Sequence, residues 1–341
     1  MCKISVVTSV WNGEKYIGET IMRVRNQTFT DWEYIIIDNC SDDRTAEIVQ
    51  KHVKKDSRIK FIQNDRNLGI SPNLNKGIRL AKGRYIARLD HDDLCYPRRL
   101  EVQYQYMETH PEILLSGCGA DQWIKGKIYP GTNAVKAADE KEVRFAMVFA
   151  FFSIMAHSTF FFRRQEIIDK GIWYRDLKYV EDLAFIFDTL RAGKAGYLPE
   201  PLIAYRIHGA QVTKNLSAAL KFTEQKDVFF EYLNAIDVRD KEIVRKAFLG
   251  SIEGEKDMRR YAKAMADYAE TCGIKGNLAE NACVRQMYRR VFDRQRCGLK
   301  MLSVYGRSPL REPVWFFKRR GLSLIRQCVL KEDKMEIRLS D

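Results

Sequence analysis

The sequence predicts an α/β fold: a mostly parallel sheet with helices on both faces, followed by a helical C-terminal region. Three observations carry this. The first hundred residues alternate short β-branched runs with segments whose apolar residues recur at helical spacing. Two of those runs end in carboxylates, Asp38 after the second and Asp90, Asp92 and Asp93 after the fourth. From about Leu216 the strand-like runs stop and helical periodicity takes over.

The elements follow in order. Residues 4–8 are a short buried-strand run, and residues 13–25 carry Ile17, Ile21 and Val24 on one helical face. Residues 34–37 form a second strand ending at Asp38, after which Ser41, Asp42 and Asp43 supply cap chemistry for a helix through Val49. Residues 59–62 are a third strand, 71–81 a third helix, and 85–89 a fourth strand ending at Asp90. In such sheets ligands gather beyond the carboxyl ends of the strands, so the acids are predicted to line one crevice. Further on, Tyr261, Met265, Tyr268 and Cys272 make one stripe of a helix, and Ser308-Pro309 reads as an N-cap with Pro at the first helical position. The expected division is a domain over residues 1–214 and a helical region over 215–341.

Composition narrows the function classes. With 341 residues, 45% hydrophobic and 30% charged, the chain has the balance of a folded globular protein, and 20 Gly and 8 Pro exclude collagen-like architectures. The formal charge is +13, and residues 285–326 hold twelve Lys and Arg against two acids. The eight cysteines show no C-x-x-C spacing and no zinc-finger pattern, which reads as reduced thiols in a cytoplasmic protein. The N-terminus has no signal-peptide pattern, and the apolar run 145–156 falls short of the ~20 residues of a membrane span.

Asp90-His91-Asp92-Asp93 places three carboxylates within four residues. Ionised acids that close repel one another unless a cation is present, and hard oxygen ligands suit Mg²⁺ or Mn²⁺. Such an ion bridges acids to a diphosphate and neutralises the charge on a leaving group. The plainer reading of the same residues is a solvated acidic turn, or an N-cap run before Leu94.

These acids belong to an ordered set of runs: 4–12 (ISVVTSVWN), 32–43 (WEYIIIDNCSDD), 67–77 (NLGISPNLNKG), 81–93 (AKGRYIARLDHDD) and 97–100 (PRRL). His157-Ser158-Thr159, Arg163-Arg164, Glu181-Asp182 and 205–208 (YRIH) follow. Together, over roughly residues 3–212, they resemble the family-2 glycosyltransferases of the GT-A, nucleotide-sugar-binding fold. The resemblance implies that Thr8, Val10 and Asn12 sit in the loop against base and ribose, that Asp38 hydrogen-bonds the base, and that Asn67, Asn75 and Arg88 belong to the same nucleotide-sugar set. It gives Asp90 to ribose or metal, and Asp92 to Mn²⁺ or Mg²⁺ as the main ligand at the diphosphate. His208 matches a histidine close to the metal, with a loop histidine bonded to a backbone carbonyl as the alternative. Asp182 matches the general base and Glu181 is its neighbour in the pair; as plain structure, the two are acids at a helix start, favoured by its dipole. Arg163, Arg164 and Arg206 are candidate phosphate contacts, and His157 faces the acceptor or simply packs. Ser9, Leu74 and His91 depart from the family pattern.

The implied activity is inverting transfer from a nucleoside-diphosphate sugar, a UDP-sugar, to a hydroxyl of a saccharide or lipid-linked saccharide acceptor in surface-polysaccharide or glycolipid assembly. A nucleotidyltransferase would want a Gly-rich loop and Lys near the first strand, where residues 11–15 (WNGEK) are a weak match. A non-catalytic nucleotide-sugar-binding scaffold is opposed by the intact Asp90, Asp92 and Asp182. The basic, aromatic stretch 285–326 suits either an anionic membrane surface, making the protein peripheral on the inner face of the cell membrane, or packing on the core. Nucleic acid is not an expected partner, since no RNP, KH or zinc motif is present.

Overall fold

The computed structural model describes residues 2–131, 139–150, 153–209, 218–251 and 254–274. The N-terminal half follows the predicted alternation. Strands β1 (Ile4–Val10), β2 (Trp32–Asp38), β3 (Ile59–Gln63) and β4 (Tyr85–Arg88) are connected by helices α1 (Ile17–Arg25), α2 (Thr45–Val53) and α3 (Ile70–Leu80). They pair in parallel in the order β3-β2-β1-β4. Every residue of β2 and β4 is buried, which explains their unbroken apolar runs.

Side-chain alternation assigns the helices to the two faces. Ile4, Val6 and Val10 of β1 join one core with Ile17, Ile21 and Val24 of α1 and Val49 of α2. Val7 points the other way, toward α3, where Gly77 lets the helix approach; a Cβ there would collide with a methyl of Val7.

The second half of the sheet is a new finding. Strands β5 (Leu94–Cys95), β6 (Ile113–Ile124), β7 (Lys127–Tyr129), β8 (Phe161–Arg163) and β9 (Lys194–Ile207) extend the order to β3-β2-β1-β4-β8-β6-β9-β5, with β7 on β6. The β6–β9 ladder is parallel and long, whereas the β4–β8, β8–β6, β9–β5 and β6–β7 ladders are short and antiparallel. The connections include α4 (Arg99–Thr109), α5 (Glu140–Ala150), α6 (Arg164–Asp169) and α7 (Glu181–Ala192).

Two details differ from expectation. Helix α1 begins at Ile17, because Gly13 to Tyr16 are spent in a turn with Tyr16 N–H donating to Gly13 O (3.0 Å). The N-cap of α2 is Arg44 and makes no side-chain cap bond; Asp43 serves instead, accepting from Thr45 N (2.9 Å) and, across the loop, from Glu14 N (2.9 Å).

The chain forms two compact units, Met1–Ile236 and Asp237–Asp341. Helix α8 (Ala218–Ala235) therefore lies with the sheet, and the division falls at 236/237 rather than 214/215. Its Tyr232 stacks on Phe187 of α7 with ring centroids 4.2 Å apart, and its Glu231 bridges Arg175 and Arg191. In the second unit, α9 (Lys241–Phe248) is capped by Asp240, which accepts from Ile243 N (3.2 Å) and pairs with Arg260 of α10 (Gly254–Thr271). The stripe Tyr261, Met265, Tyr268 and Cys272 is buried, as its spacing predicts. Among the described residues no helix is long and apolar enough to cross a membrane. The basic stretch 285–326 and Ser308-Pro309 lie outside the described residues.

Candidate active site

The loops after β1 and β2 are stitched to each other. Asn12 and Cys40 both take left-handed backbone conformations (φ 50° and 65°), a strain that sterics discourage and surrounding bonds must hold. Asn12 N donates to Ser41 Oγ (2.9 Å) and its side-chain oxygen accepts from Asp42 N (3.0 Å). Asp38, fully buried, accepts from the Ser41 backbone and hydroxyl and from Gln63 Nε2 (3.2 Å). Thr8 and Val10 are buried beneath these loops. The Thr8 hydroxyl donates to Leu89 O (2.7 Å) and lies 3.0 Å from the Tyr34 hydroxyl, while Val10 packs in the core. Their side chains brace the loop from below.

Beside them runs an amide network that sequence reasoning assigned only in part. Asn67 Oδ1 accepts from Asn39 Nδ2 (2.7 Å), Asn39 Oδ1 from Leu68 N (2.8 Å), Asn73 Oδ1 from Asn64 Nδ2 (2.6 Å), and Asn73 Nδ2 donates to Ser9 Oγ (3.1 Å). Asn39, Asn64 and Asn73 had no individual signal, since only their shared pairing reveals them. Asn75 points elsewhere: its amide brackets the Tyr174 backbone, donating to Tyr174 O (2.8 Å) and accepting from Tyr174 N (3.0 Å).

At the end of β4 the three acids converge, with ligand oxygens of Asp90, Asp92 and Asp93 within 4.8 Å of one another. Burial works against ionisation of Asp90, but the bonded Arg88 guanidinium outweighs it and holds the carboxyl well below the usual carboxylate range. Asp93 goes the other way: burial first, then the charges of Asp90 and Asp92, push it well above that range. Its oxygens are engaged by the Ser158 hydroxyl and by Arg206 N (2.9 Å). The same Ser158 hydroxyl reaches Asp90 Oδ2 (2.8 Å) and accepts from Asp90 N (3.1 Å) and Arg88 Nη1 (3.3 Å). Asp92 faces outward to His208, whose Nε2 lies 2.8 Å from Asp92 Oδ2, so a carboxylate rather than a backbone carbonyl is the partner.

The donor set fits a hard divalent cation. Asp90, Asp92 and His208 offer two carboxylates and an imidazole, and the cluster as it stands lowers its charge by favouring a proton on Asp93, which an ion would do as well. Asp93 itself is enclosed and acts as a brace. Arg206 flanks the acids, its Nε donating to Asp92 O (2.8 Å) and its guanidinium lying between the rings of Tyr16 (4.8 Å) and Trp123 (4.7 Å). Arg163 and Arg164 do not join it. Arg163 is buried and donates to the carbonyls of Ile113, Met107 and His110, and Arg164 donates to those of Ile78 and Arg79.

Glu181 and Asp182 begin α7 close enough to Arg88 and Asp90 that both acids feel their charges. Burial, then the neighbouring Asp182, pushes Glu181 up to about 8. Asp182 is also raised, chiefly by burial, although its carboxylate accepts from Leu183 N (2.7 Å). His157 lies against this pair, with Nδ1 3.6 Å from Glu181 Oε1 and Nε2 3.0 Å from the Tyr174 hydroxyl.

The architecture has a counterpart among solved structures. It resembles the crystal structure of S. aureus TarS 1-349 in complex with UDP-GlcNAc with a TM-score of 0.61, over 86% of this chain and 89% of that one, at 18% sequence identity. Residues 5–171 match the model of glycosyl transferase family 2. An uncharacterized glycosyltransferase of Haemophilus influenzae is 32% identical over 256 residues, 70% of this chain and 77% of that protein. Another, from Methanocaldococcus jannaschii, is 45% identical over 112 residues, 32% of this chain and 39% of that protein. The chain belongs to glycosyl transferase family 2.

Proposed function

We propose that this glycosyltransferase moves a sugar with inversion from a UDP-sugar to a hydroxyl of a saccharide or lipid-linked saccharide, in surface-polysaccharide or glycolipid assembly. The observation that carries the reading is the placement of two acid groups around Arg88: the Asp90–Asp92–Asp93 cluster with His208, and the raised pair Glu181–Asp182. The UDP-GlcNAc complex of TarS supports a uridine nucleotide as donor.

In this reading Asp92, Asp90 and His208 hold Mn²⁺ or Mg²⁺, which when bound neutralises charge on the departing diphosphate. The stitched loops after β1 and β2, with Asp38 and the asparagine network around Asn67, shape the nucleotide site. Asp182 takes the acceptor hydroxyl's proton as oxygen bonds to the anomeric carbon and the bond to UDP breaks. A raised carboxylate suits this step, because a base works best with an affinity for protons near the working pH.

The test is a panel of nucleotides and nucleotide sugars scored by thermal stability, with and without Mn²⁺, on wild type and Asp92→Asn. Ligand at about 100 times its Kd should stabilise the wild type by ~2.7 kcal/mol. A shift that needs both Mn²⁺ and Asp92 is the expected result; a UDP shift indifferent to both would remove the metal assignment. Asp182→Asn should bind donor normally and lose transfer by about 100-fold or more. Transfer at the wild-type rate would remove the base.

A further inference from the structure

His157 is enclosed between Phe160 and Tyr174, with ring centroids at 5.1 and 5.3 Å, and one of its nitrogens faces each of two oxygen groups. Nε2 is 3.0 Å from the Tyr174 hydroxyl, a hydrogen bond; Nδ1 is 3.6 Å from Glu181 Oε1, a small torsion away from one. Tyr174 is held firmly. Asn75 of α3 brackets its backbone on both sides, and its ring stacks on Phe185 of α7 at 4.4 Å and 14°. A line of contacts thus runs from the helix behind the nucleotide loops to the start of the helix that carries Asp182.

We propose that His157 is a positioning residue: its Nε2–H donates to the Tyr174 hydroxyl and its bare Nδ1 accepts from the acid form of Glu181, so that Asp182 alone carries the charge of the acid pair. This rests on the reading of Asp182 as base. A neutral imidazole has one N–H, so the partner of one nitrogen dictates the role of the other. Burial, then Arg88, pushes His157 well below its ordinary value, so no imidazolium is there to favour a Glu181 carboxylate. The groups facing Glu181 are Asp182 on its own helix, His157 from the turn, and Arg88 and Asp90 from the end of β4. Burial and the two carboxylates oppose its ionisation, and they outweigh the backbone hydrogen bond and Arg88, which favour it. A single charge at this helix start leaves a base for the acceptor without adding a second carboxylate opposite a diphosphate.

The histidine tautomer decides the matter without any substrate. The chain has five histidines, so in ¹⁵N-histidine-labelled protein the His157 signals are those lost in His157→Phe, a variant that keeps ring packing. At neutral pH they should show a protonated Nε2 and a bare Nδ1, and in ¹³C-glutamate-labelled protein one carboxyl should titrate near 8 and vanish in Glu181→Gln. An Nδ1–H tautomer, an imidazolium, or no high-titrating glutamate overturns the proposal. A second arm measures UDP release from the nucleotide sugar selected by the stability panel, with water as acceptor. His157→Phe should lower kcat by about tenfold with the donor KM unchanged, because it disturbs the base and not the nucleotide loops. A kcat left at the wild-type value, or a loss confined to KM, overturns it too. Asp182→Asn in the same assay separates the two failures: if it is inactive while the tautomer is wrong, only this inference falls; if it is active, the base reading falls first.

Discussion

A single hydroxyl organises the acidic end of β4. Ser158 is buried, reaches carboxylate oxygens of both Asp90 and Asp93, and takes donors from the Asp90 backbone and Arg88. A hydroxyl has one proton to donate and two lone pairs, so it serves the Asp90 and Asp93 carboxyls in turn while accepting from the two N–H donors. Ser158→Ala removes these bonds and leaves the buried Asp93 carboxyl and the half-buried Asp90 carboxyl without the hydroxyl between them. It should destabilise the fold by ~1–3 kcal/mol at neutral pH, read from denaturant midpoints. It should also weaken the Mn²⁺-dependent thermal shift with donor, since the Asp90 carboxyl is no longer held by the Ser158 hydroxyl. A variant as stable as wild type with an unchanged metal response would mean that Arg88 alone sets the cluster. The sequence made the acids legible because three in four residues is an unusual density, whereas the run His157-Ser158-Thr159 matched the family pattern without showing that its serine joins two of those acids. Thr8 and Asn75 illustrate the converse. Their runs belong to the family pattern, yet one side chain braces the loop from below and the other holds Tyr174, so a motif marks a neighbourhood and leaves the contact open.

At the scale of elements, the start of α7 stores unfavourable charge. Glu181 titrates near 8 in the fold and near 4.3 when exposed in the unfolded chain. Between these values the folded protein keeps a proton that the unfolded chain has released, so its stability falls as pH rises and levels off above about 8. Glu181→Gln cannot take part in that loss. Its stability relative to wild type should grow from about pH 5 to about 8, by roughly 1.4 kcal/mol per pH unit at the steepest, and stay constant beyond. Denaturant unfolding at pH 5, 6.5, 8 and 9 reads this directly; parallel curves would show that burial of the acid is relieved in solution. Adjacent acids at a helix start are ordinary for a dipole and costly when buried, and only burial distinguishes the cases. Two acids before an apolar run are therefore recognisable as a helix start, while their buried environment includes His157, which lies 24 residues earlier in the chain and is not local in sequence.

Across the whole molecule, legibility follows contact order. The β1–β4 half was readable because each strand is a continuous apolar run followed by its own helix. The other half is built from strands of two or three residues, β5, β7 and β8, and from the long β6–β9 pair whose partners are some eighty residues apart. Nothing local fixes such pairings. The same reasoning explains why the unit boundary lies at 236/237: α8 is a helix like those after it, but Tyr232 stacks on Phe187, and Glu231 with Arg175, Arg191 and Asp188 forms a four-residue ion-pair cluster. Two truncations test this. A chain ending at Ile236 keeps the whole sheet, all the acids and the helix against α7, and should unfold cooperatively and retain the donor-dependent thermal shift. A chain ending at residue 214 loses α8, uncovers Phe187 and leaves Arg175 and Arg191 without Glu231. It should lose several kcal/mol, since removing one large aromatic from a core costs ~3–5 kcal/mol, and its transfer activity should fall because α7 carries Asp182. Equal stability of the two chains would place α8 outside the catalytic unit; failure of the longer chain to fold would show that residues beyond 236 complete it.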